Sequence, residues 1–525
     1  MTGTSPRPVR NDWSPVAVPP LGQWRPTRTV SVVIPAYQCQ PSLDLTLASL
    51  AYQTYPAELL EVVVVDDGSQ PPLTLPKLRP ARCRVIRPEQ GWGRANALRA
   101  GAEESTGEII HWLDADMVVY PTHVEAQARW HHQLPYAVTL GWKRFVDVAP
   151  DAPYWPTADQ VAAACDEDAA GELFNELPST GHDYVEAQIA RTRQLRDADH
   201  TGFLAHVGAT AALRRELYQA TGGLDSDLRL GEDTEFGYRL AQAGALFVPE
   251  PAAHSWHLGA THMMRHELVL QRYNRPFLAD RMPQPRWLRR VGGTGWSVPL
   301  VTVVAPVGGQ SLERVRAAVD SVLASDEADL RVALVGPWRE LSAERGSPLH
   351  DPQLDLRLLA ATYQGDPRVR LLDEAPTTGF PSPYLLRLPP AVGLTRPALR
   401  RLLEYADSGR LGLVRVELPG AGTAELWRTA ALHRAGWVRE EGETLAAVVA
   451  EVYGAGTLPA EQVGVVDLAG FPEAMLTSGP VLTEAPVGRW LPSSVEVAGA
   501  RSLGRAAWMV ARLAVTRATR RLRRR

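Results

Sequence analysis

Apolar and polar positions alternate along this chain in a way that predicts strands and helices in turn. "VSVVIPAY" (30–37) is a short β-branched run without polar alternation, the pattern of a strand buried on both faces. "SLDLTLASLAYQ" (42–53) repeats its apolar residues at helical spacing. "LLEVVVVDDGS" (59–69) predicts a second strand ending in two carboxylates and a turn, and "CRVIRP" (83–88) a third. "GWGRANALRAGAEES" (91–105) opens on glycines and continues as a helix. "GEIIHWLDADMVVYP" (107–121) is a fourth strand whose tip carries Asp114 and Asp116. Residues 150–200 are polar and acidic and read as helical excursions. "HVGATAALRRELYQATGG" (206–223) restores strand then helix, and Glu232-Asp233 open a further helix in 228–251. "HSWHLG" (254–259) follows another strand, and "RYNRPFLADRMPQPRW" (272–287) reads as a proline-rich exit.

Strands that alternate with helices imply an α/β fold with a doubly wound, mostly parallel, Rossmann-like sheet. Such sheets bind ligands beyond the carboxyl ends of their strands. Asp66, Asp67, Asp114 and Asp116 all fall at such ends, so one crevice is expected to gather them.

The order then starts again. "VPLVTVVAPVGGQSLERVRAAVDSVLAS" (298–325) repeats the first strand, proline, loop and helix, and "ADLRVALVGPW" (328–338) parallels the second strand. In this copy Gly336 and Pro337 stand opposite Asp66 and Asp67, and Pro389 and Ala391 opposite Asp114 and Asp116. These residues offer no side-chain oxygen. The expected organisation is an extended lead-in (1–28), a complete domain (29–292), a smaller degenerate copy (296–480), and a linker with a basic helix (481–525).

Composition narrows the class. The 525 residues are 45% hydrophobic and 22% charged, as in globular chains, and the net charge of −4 gives no general attraction to nucleic acid. Three cysteines match no disulfide or zinc spacing, which points to a cytoplasmic location. No run of eighteen apolar residues suggests a membrane span. The last 25 residues, 501–525, carry nine arginines and no acid. Their short apolar centre suits a basic amphipathic helix on the inner face of an anionic membrane, or one docked on protein.

The acids suggest the chemistry. Asp-x-Asp at a strand tip offers hard oxygen ligands to Mn²⁺ or Mg²⁺ on a diphosphate. Asp66-Asp67-Gly68-Ser69 can accept from a base or ribose, or can form a simple turn. Arg94 follows glycines at a helix start, where a phosphate would be favoured. Asp233 suits a general base, Glu232 a partly structural cap, and His257 a third metal ligand.

Taken together, "VSVVIPAYQCQPSLDLTLASLAYQTYPAELLEVVVVDDGS", "GWGRANALRAG", "WLDADMVV" and "GGLDSDLRLGEDTEFGYRLAQAG" resemble the family 2 glycosyltransferases, of GT-A fold, over about residues 29–260. The resemblance implies a nucleoside pocket at Pro35, Tyr37, Asp66 and Asp67, with Arg94 near the base or diphosphate. It places Asp114 and Ala115 at the nucleotide sugar, Asp116 and His257 on the metal, and Asp233 with Glu232 at the catalytic step. The implied reaction is inverting transfer from a nucleoside-diphosphate sugar to an acceptor that the sequence does not specify. "LVLQRYNRPF" (268–277) lacks the Gln-x-x-Arg-Trp spacing of processive members, so non-processive transfer is expected. A silent nucleotide-sugar-binding protein and a nucleotidyltransferase are the competing readings.

Overall fold

The computed structural model describes residues 6–290, 292–343, 347–476, 482 and 494–495. The basic segment expected over 501–525 lies outside the described residues. The chain divides into two compact units, Met1–Leu278 and Ala279–Arg525. This division falls ahead of the change expected near 292–296.

The first unit contains strands β1 (Val30–Ala36), β2 (Leu60–Asp66), β3 (Cys83–Ile86), β4 (Ile109–Trp112), β5 (Met117–Val119), β6 (Ala137–Val146), β7 (Ser179–Thr180), β8 (Ala211–Arg214) and β9 (Leu246–Leu258). Its helices are α1 (Gln40–Leu50), α2 (Arg94–Glu104), α3 (His123–Gln133), α4 (Ala158–Asp166), α5 (Asp183–Arg191), α6 (Arg215–Ala220), α7 (Glu232–Gln242) and α8 (His262–Arg281), whose last three residues fall in the second unit. The sheet runs β3-β2-β1-β4-β8-β6-β9-β5, with β7 on β6. Strands β3, β2, β1 and β4 are parallel. β8 is antiparallel to both β4 and β6, and β6 and β9 are parallel again.

The parallel half is covered on both faces, which explains its unbroken apolar runs. All seven residues of β2 are buried. One face packs Val32, Ile34, Val62 and Val64 against Leu43 and Leu47 of α1. On the other face α2 presses so close that a Cβ on Gly101 would lie 2.3 Å from Val33 Cγ1 and 2.8 Å from Val65 Cγ2. Glu61 is the polar exception in this core. It accepts from Ser31 Oγ (2.6 Å), Thr106 N (2.6 Å), Thr106 Oγ1 (2.9 Å) and Arg84 (2.9 Å). The lead-in is irregular but seated: Asn11 bonds both backbone groups of Phe247, and Trp24 Nε1 donates to Glu125.

Two expectations change here. His254 and His257 lie within β9 rather than after it. The segment 272–281, expected to be part of a proline-rich exit, is helical. Pro276 sits inside α8, where it removes only one backbone donor, and the break in that helix is at His266 (φ −136°, ψ 32°).

The second unit contains β10 (Val301–Pro306), β11 (Leu330–Val335), β12 (Val369–Leu372), β13 (Tyr384–Arg387), β14 (Val392–Leu394), β15 (Leu413–Leu418), β16 (Gly422–Arg428), β17 (Ala455–Pro459), β18 (Val465–Asp467) and β19 (Ser494–Val495). Its main sheet runs β12-β11-β10-β13-β16-β15-β17-β19. Strand for strand, β12 to β17 follow the order and directions of β3-β2-β1-β4-β8-β6-β9. Gly336 follows β11, and Pro389 and Ala391 follow β13, at the places the acids hold in the first unit.

Candidate active site

Strand register brings the acids together. Ala36 pairs Asp66 at the tips of β1 and β2, and Val33 pairs Trp112 of β4. Asp67, Asp114 and Asp116 therefore leave the sheet at the same carboxyl edge. β5 then pairs antiparallel with β9, with Met117 opposite His257, and Leu258 N donates to Asp116 O (2.9 Å). This pairing carries a histidine 141 positions away in sequence to the Asp-x-Asp turn.

One ligand atom from each of Asp114, Asp116 and His257 lies within 4.8 Å of the others. His257 Nδ1 sits 3.1 Å from Gly259 O, and Nε2 lies 3.7 Å from Asp116 Oδ1. A proton on Nδ1 donated to Gly259 leaves the Nε2 lone pair facing the acids, the tautomer a metal ligand requires. Burial pushes the Asp116 carboxyl up, and Asp114 beside it adds to the rise. Two oxygens and a neutral imidazole are a donor set that fits Mn²⁺ or Mg²⁺.

Arg94, the first residue of α2, lies between two carboxylates. Its Nε and Nη2 reach Asp114 Oδ1 (3.2 and 2.8 Å), and Nη1 reaches Glu232 Oε1 (2.5 Å). Burial raises the Asp114 carboxyl, but the charge and hydrogen bond of Arg94, together with His257 and Lys143, outweigh it and hold Asp114 low. Glu232 is buried and its carboxyl is pushed up by that burial. Its Oε1 accepts from Arg94 and so helps to position the guanidinium. Arg94 is likewise held by the acids and sits at Asp114, beside the Asp114–Asp116–His257 cluster.

Asp233 follows Glu232 on α7, whose first residue comes after Gly231 in left-handed backbone (φ 77°). Asp233 Oδ1 accepts from Thr234 N (2.7 Å), whereas Oδ2 has only a long contact from Gly208 N (3.5 Å). Oδ2 is thus the oxygen with capacity for a proton. A Cβ on Gly208 would lie 3.0 Å from Arg94 Nη2 and 3.4 Å from Asp233 Cβ, which puts Asp233 beside the Arg94–Asp114 pair.

The expected nucleoside residues separate into two groups. Asp67 accepts Gly93 N with both oxygens (3.0 and 2.8 Å) and so ties the glycine loop to the tip of β2. Gly93 (φ 94°) can adopt this backbone because it lacks a Cβ. Tyr37 is 58% exposed at the mouth, with Pro35 half-buried at the end of β1. Asp66 is buried and turned inward, accepting from Ser69 N (2.7 Å) and Leu73 N (3.3 Å). It closes the turn after β2. Ala115 is buried, and its carbonyl accepts from Thr46 Oγ1 (3.0 Å), fixing the Asp-x-Asp turn to α1.

Residues 31–221 match the model of the family described as Glycosyl transferase family 2. This stretch is similar to family 2 glycosyltransferase domains. Validoxylamine A glucosyltransferase of Streptomyces hygroscopicus subsp. limoneus is 29% identical over 252 residues, covering 45% of this chain and 53% of its own. A probable N-acetylgalactosaminyltransferase 7 of Caenorhabditis elegans is 29% identical over 254 residues, 45% of this chain and 40% of its own. The chain spans about half the length of the curated relatives it matches. Among solved structures, a mannosyltransferase from Pyrobaculum calidifontis in complex with GDP-Man and Mn²⁺ matches with TM-score 0.31 and 20% identity, over 51% of this chain and 65% of its own. GalNAc-T7 with UDP, GalNAc and Mn²⁺ matches with TM-score 0.32 and 17% identity, over 50% and 53%.

The first unit also holds residues that sequence reasoning missed. Lys143 on β6 is buried, and burial lowers its ammonium to about 8. The charges acting on it are Asp114, Asp233 and Glu186, which favour the ammonium, and Arg94, which opposes it. His182, just before α5, faces it, and His206 Nδ1 lies 2.8 Å from Asp233 O. A usable signal was present: the chain has only two lysines, Lys77 and Lys143, and Lys143 falls in a strand. No helix among the described residues is long and apolar enough to cross a membrane.

Proposed function

We propose that the first unit transfers one sugar from a nucleoside diphosphate donor to an acceptor hydroxyl, with inversion and without processive elongation. The observation that carries this reading is the junction of Asp114, Asp116 and His257 with Arg94 and Asp233 on one edge of the sheet. Mn²⁺ or Mg²⁺ held by Asp116 and His257, with Asp114 beside them, would supply positive charge to the diphosphate as it leaves.

The protein's own residues account for the rest. Asp67, Pro35 and Tyr37 form the nucleoside wall, with Asp67 keeping the glycine loop at the β2 tip. Arg94 fixes the Asp114 carboxylate, which then faces the donor sugar with one oxygen unpaired. Asp233 Oδ2 takes the acceptor hydroxyl proton. The acceptor oxygen forms its bond to the anomeric carbon as the bond to the diphosphate oxygen breaks on the opposite face. That oxygen keeps the electron pair.

The second unit, by the same reading, is a duplicated sheet without the acids, so one centre per chain is expected. Its support is the shared strand order together with Gly336, Pro337, Pro389 and Ala391 at the strand tips. Asp116→Ala should remove Mn²⁺-dependent nucleotide binding, measured by calorimetry with UDP and GDP. Asp233→Asn should keep that binding while lowering transfer about 10²- to 10⁴-fold, measured by product analysis across a nucleotide-sugar panel. Full transfer by both variants refutes the assignment. Pyrophosphate among the products would favour a nucleotidyltransferase.

A further inference from the structure

Asp233 stands in the first turn of α7, where no earlier turn of the helix braces it. We propose that His206, in the segment ahead of β8, is the positioning residue for this base: its imidazole ties the Asp233 backbone to the segment 206–208 and so holds the carboxylate at the crevice. The inference rests on the transferase reading and adds a residue to its machinery.

His206 is 3% exposed, and its Nδ1 lies 2.8 Å from Asp233 O. A carbonyl oxygen accepts and cannot donate, so the proton of this bond is on Nδ1. Nε2 is then a bare lone pair, and it is buried with no partner among the described residues. Burial holds the imidazole below its ordinary range, with the Arg94 charge acting the same way and Asp233 acting against it. A neutral imidazole has one donor, and the fold directs that donor to Asp233.

The bond is not needed to build the helix. Inside α7 the carbonyl of residue 233 faces the N–H four residues on, so its helical partner is supplied without His206. What His206 adds is a tie between α7 and another part of the chain. The helix is shaped to receive the ring. Residue 237, one turn after Asp233, is glycine, and a Cβ there would lie 2.9 Å from His206 Cβ and 3.2 Å from its Cγ and Nδ1. Glycine inside a helix is unfavourable against alanine, so its presence at 237 has a packing reason. Phe236 and Phe247 stand edge-on to the imidazole, 6.0 and 6.4 Å between centroids, and close its sides.

Gly208, two residues on, completes the hold. Its N is 3.5 Å from Asp233 Oδ2, and a Cβ on it would lie 3.4 Å from Asp233 Cβ. The segment 206–208 thus meets Asp233 at its carbonyl, its Cβ and its carboxylate. A displacement of about 1 Å at a reacting group can cost about 10²-fold in rate, so loosening this tie has a measurable consequence.

A conservative variant separates positioning from packing. Asn sets its Nδ2 close to the place of the histidine Nδ1 and keeps the donor, whereas Leu fills similar space without one. Turnover is read in the full-length chain with Mn²⁺ as hydrolysis of UDP-glucose, UDP-N-acetylglucosamine or GDP-mannose, with water as the acceptor. His206→Leu should lower kcat about 10- to 100-fold while donor KM and the affinity for UDP or GDP stay within about twofold of wild type. His206→Asn should restore kcat to within about threefold of wild type. Gly237→Ala keeps the imidazole but pushes it off α7, and should lower kcat as His206→Leu does; it carries the same comparison if His206→Leu fails to fold. A ¹⁵N spectrum of wild type against His206→Asn should place the His206 proton on Nδ1, a readout that needs no turnover. The proposal falls if His206→Leu keeps full kcat, if His206→Asn does no better than His206→Leu, if the loss lies in nucleotide affinity instead of kcat, or if the proton is on Nε2. A wild-type chain that binds neither UDP nor GDP with Mn²⁺, or that turns over no nucleotide sugar, overturns the transferase reading instead.

Discussion

Removing the Arg94 guanidinium should cost stability as well as activity, and the size of the loss follows from its contacts. In Arg94→Met, Asp114 Oδ1 loses bonds of 2.8 and 3.2 Å, and Glu232 Oε1 loses one of 2.5 Å. The Glu232 side chain is 6% exposed and that of Asp114 24%, so Glu232 bears most of the penalty. Breaking a buried pair from one side typically costs about 3–5 kcal/mol. Because Glu232 can escape by taking up a proton, as its raised carboxyl already favours, the lower figure is expected, about 3 kcal/mol at neutral pH. For a unit of this size that corresponds to a fall in Tm of roughly 6–12 °C. Adding Glu232→Gln should recover about 1–3 kcal/mol, because it removes the stranded charge. The measurement is urea unfolding of the full chain by circular dichroism for wild type, both single variants and the double variant. A loss below about 1 kcal/mol, or a double variant no better than the sum of the singles, would refute the account.

Two further outcomes test the scaffold. Gly101→Ala gains about 1 kcal/mol of helix propensity but forces a methyl to within 2.3 Å of Val33 Cγ1, so a net loss of about 1–2 kcal/mol is expected, relieved by adding Val33→Ala. Burial pushes the Glu61 carboxyl up, but bonds from Ser31, Thr106 and Arg84 outweigh it and hold it at about 2, below the ordinary 4.5. A depressed folded-state pKa stabilises fully above the unfolded value, and this is lost as pH falls from about 4.5 toward 2. Acid unfolding should therefore be shallower over that window in Glu61→Gln, and an unchanged slope would remove Glu61 from the explanation.

What was legible in the sequence was whatever depends on neighbours along the chain. The β-branched runs of β1 and β2 could only be strands covered on both faces, because no solvent-facing polar alternation interrupts them. Tip acids such as Asp67, Asp114 and Asp116 followed from those strands, since residues beyond a parallel strand's carboxyl end point at the crevice. The glycines before α2 and the acids opening α7 marked those helix starts for the same local reason.

Tertiary structure decided which side chains meet, because sheet order and register join residues that no local pattern relates. Asp66 and Asp67 are adjacent in sequence, yet the turn takes Asp66 inward to Ser69 and leaves Asp67 on the glycine loop. Glu232 and Asp233 likewise part, one to Arg94 and the other toward the crevice. His257 reaches Asp116 only through the antiparallel pairing of β5 with β9. Lys143 gains its acidic surroundings from β4, α5 and α7 at once, and a charge enclosed by three distant elements leaves no periodic trace in the sequence that encodes it.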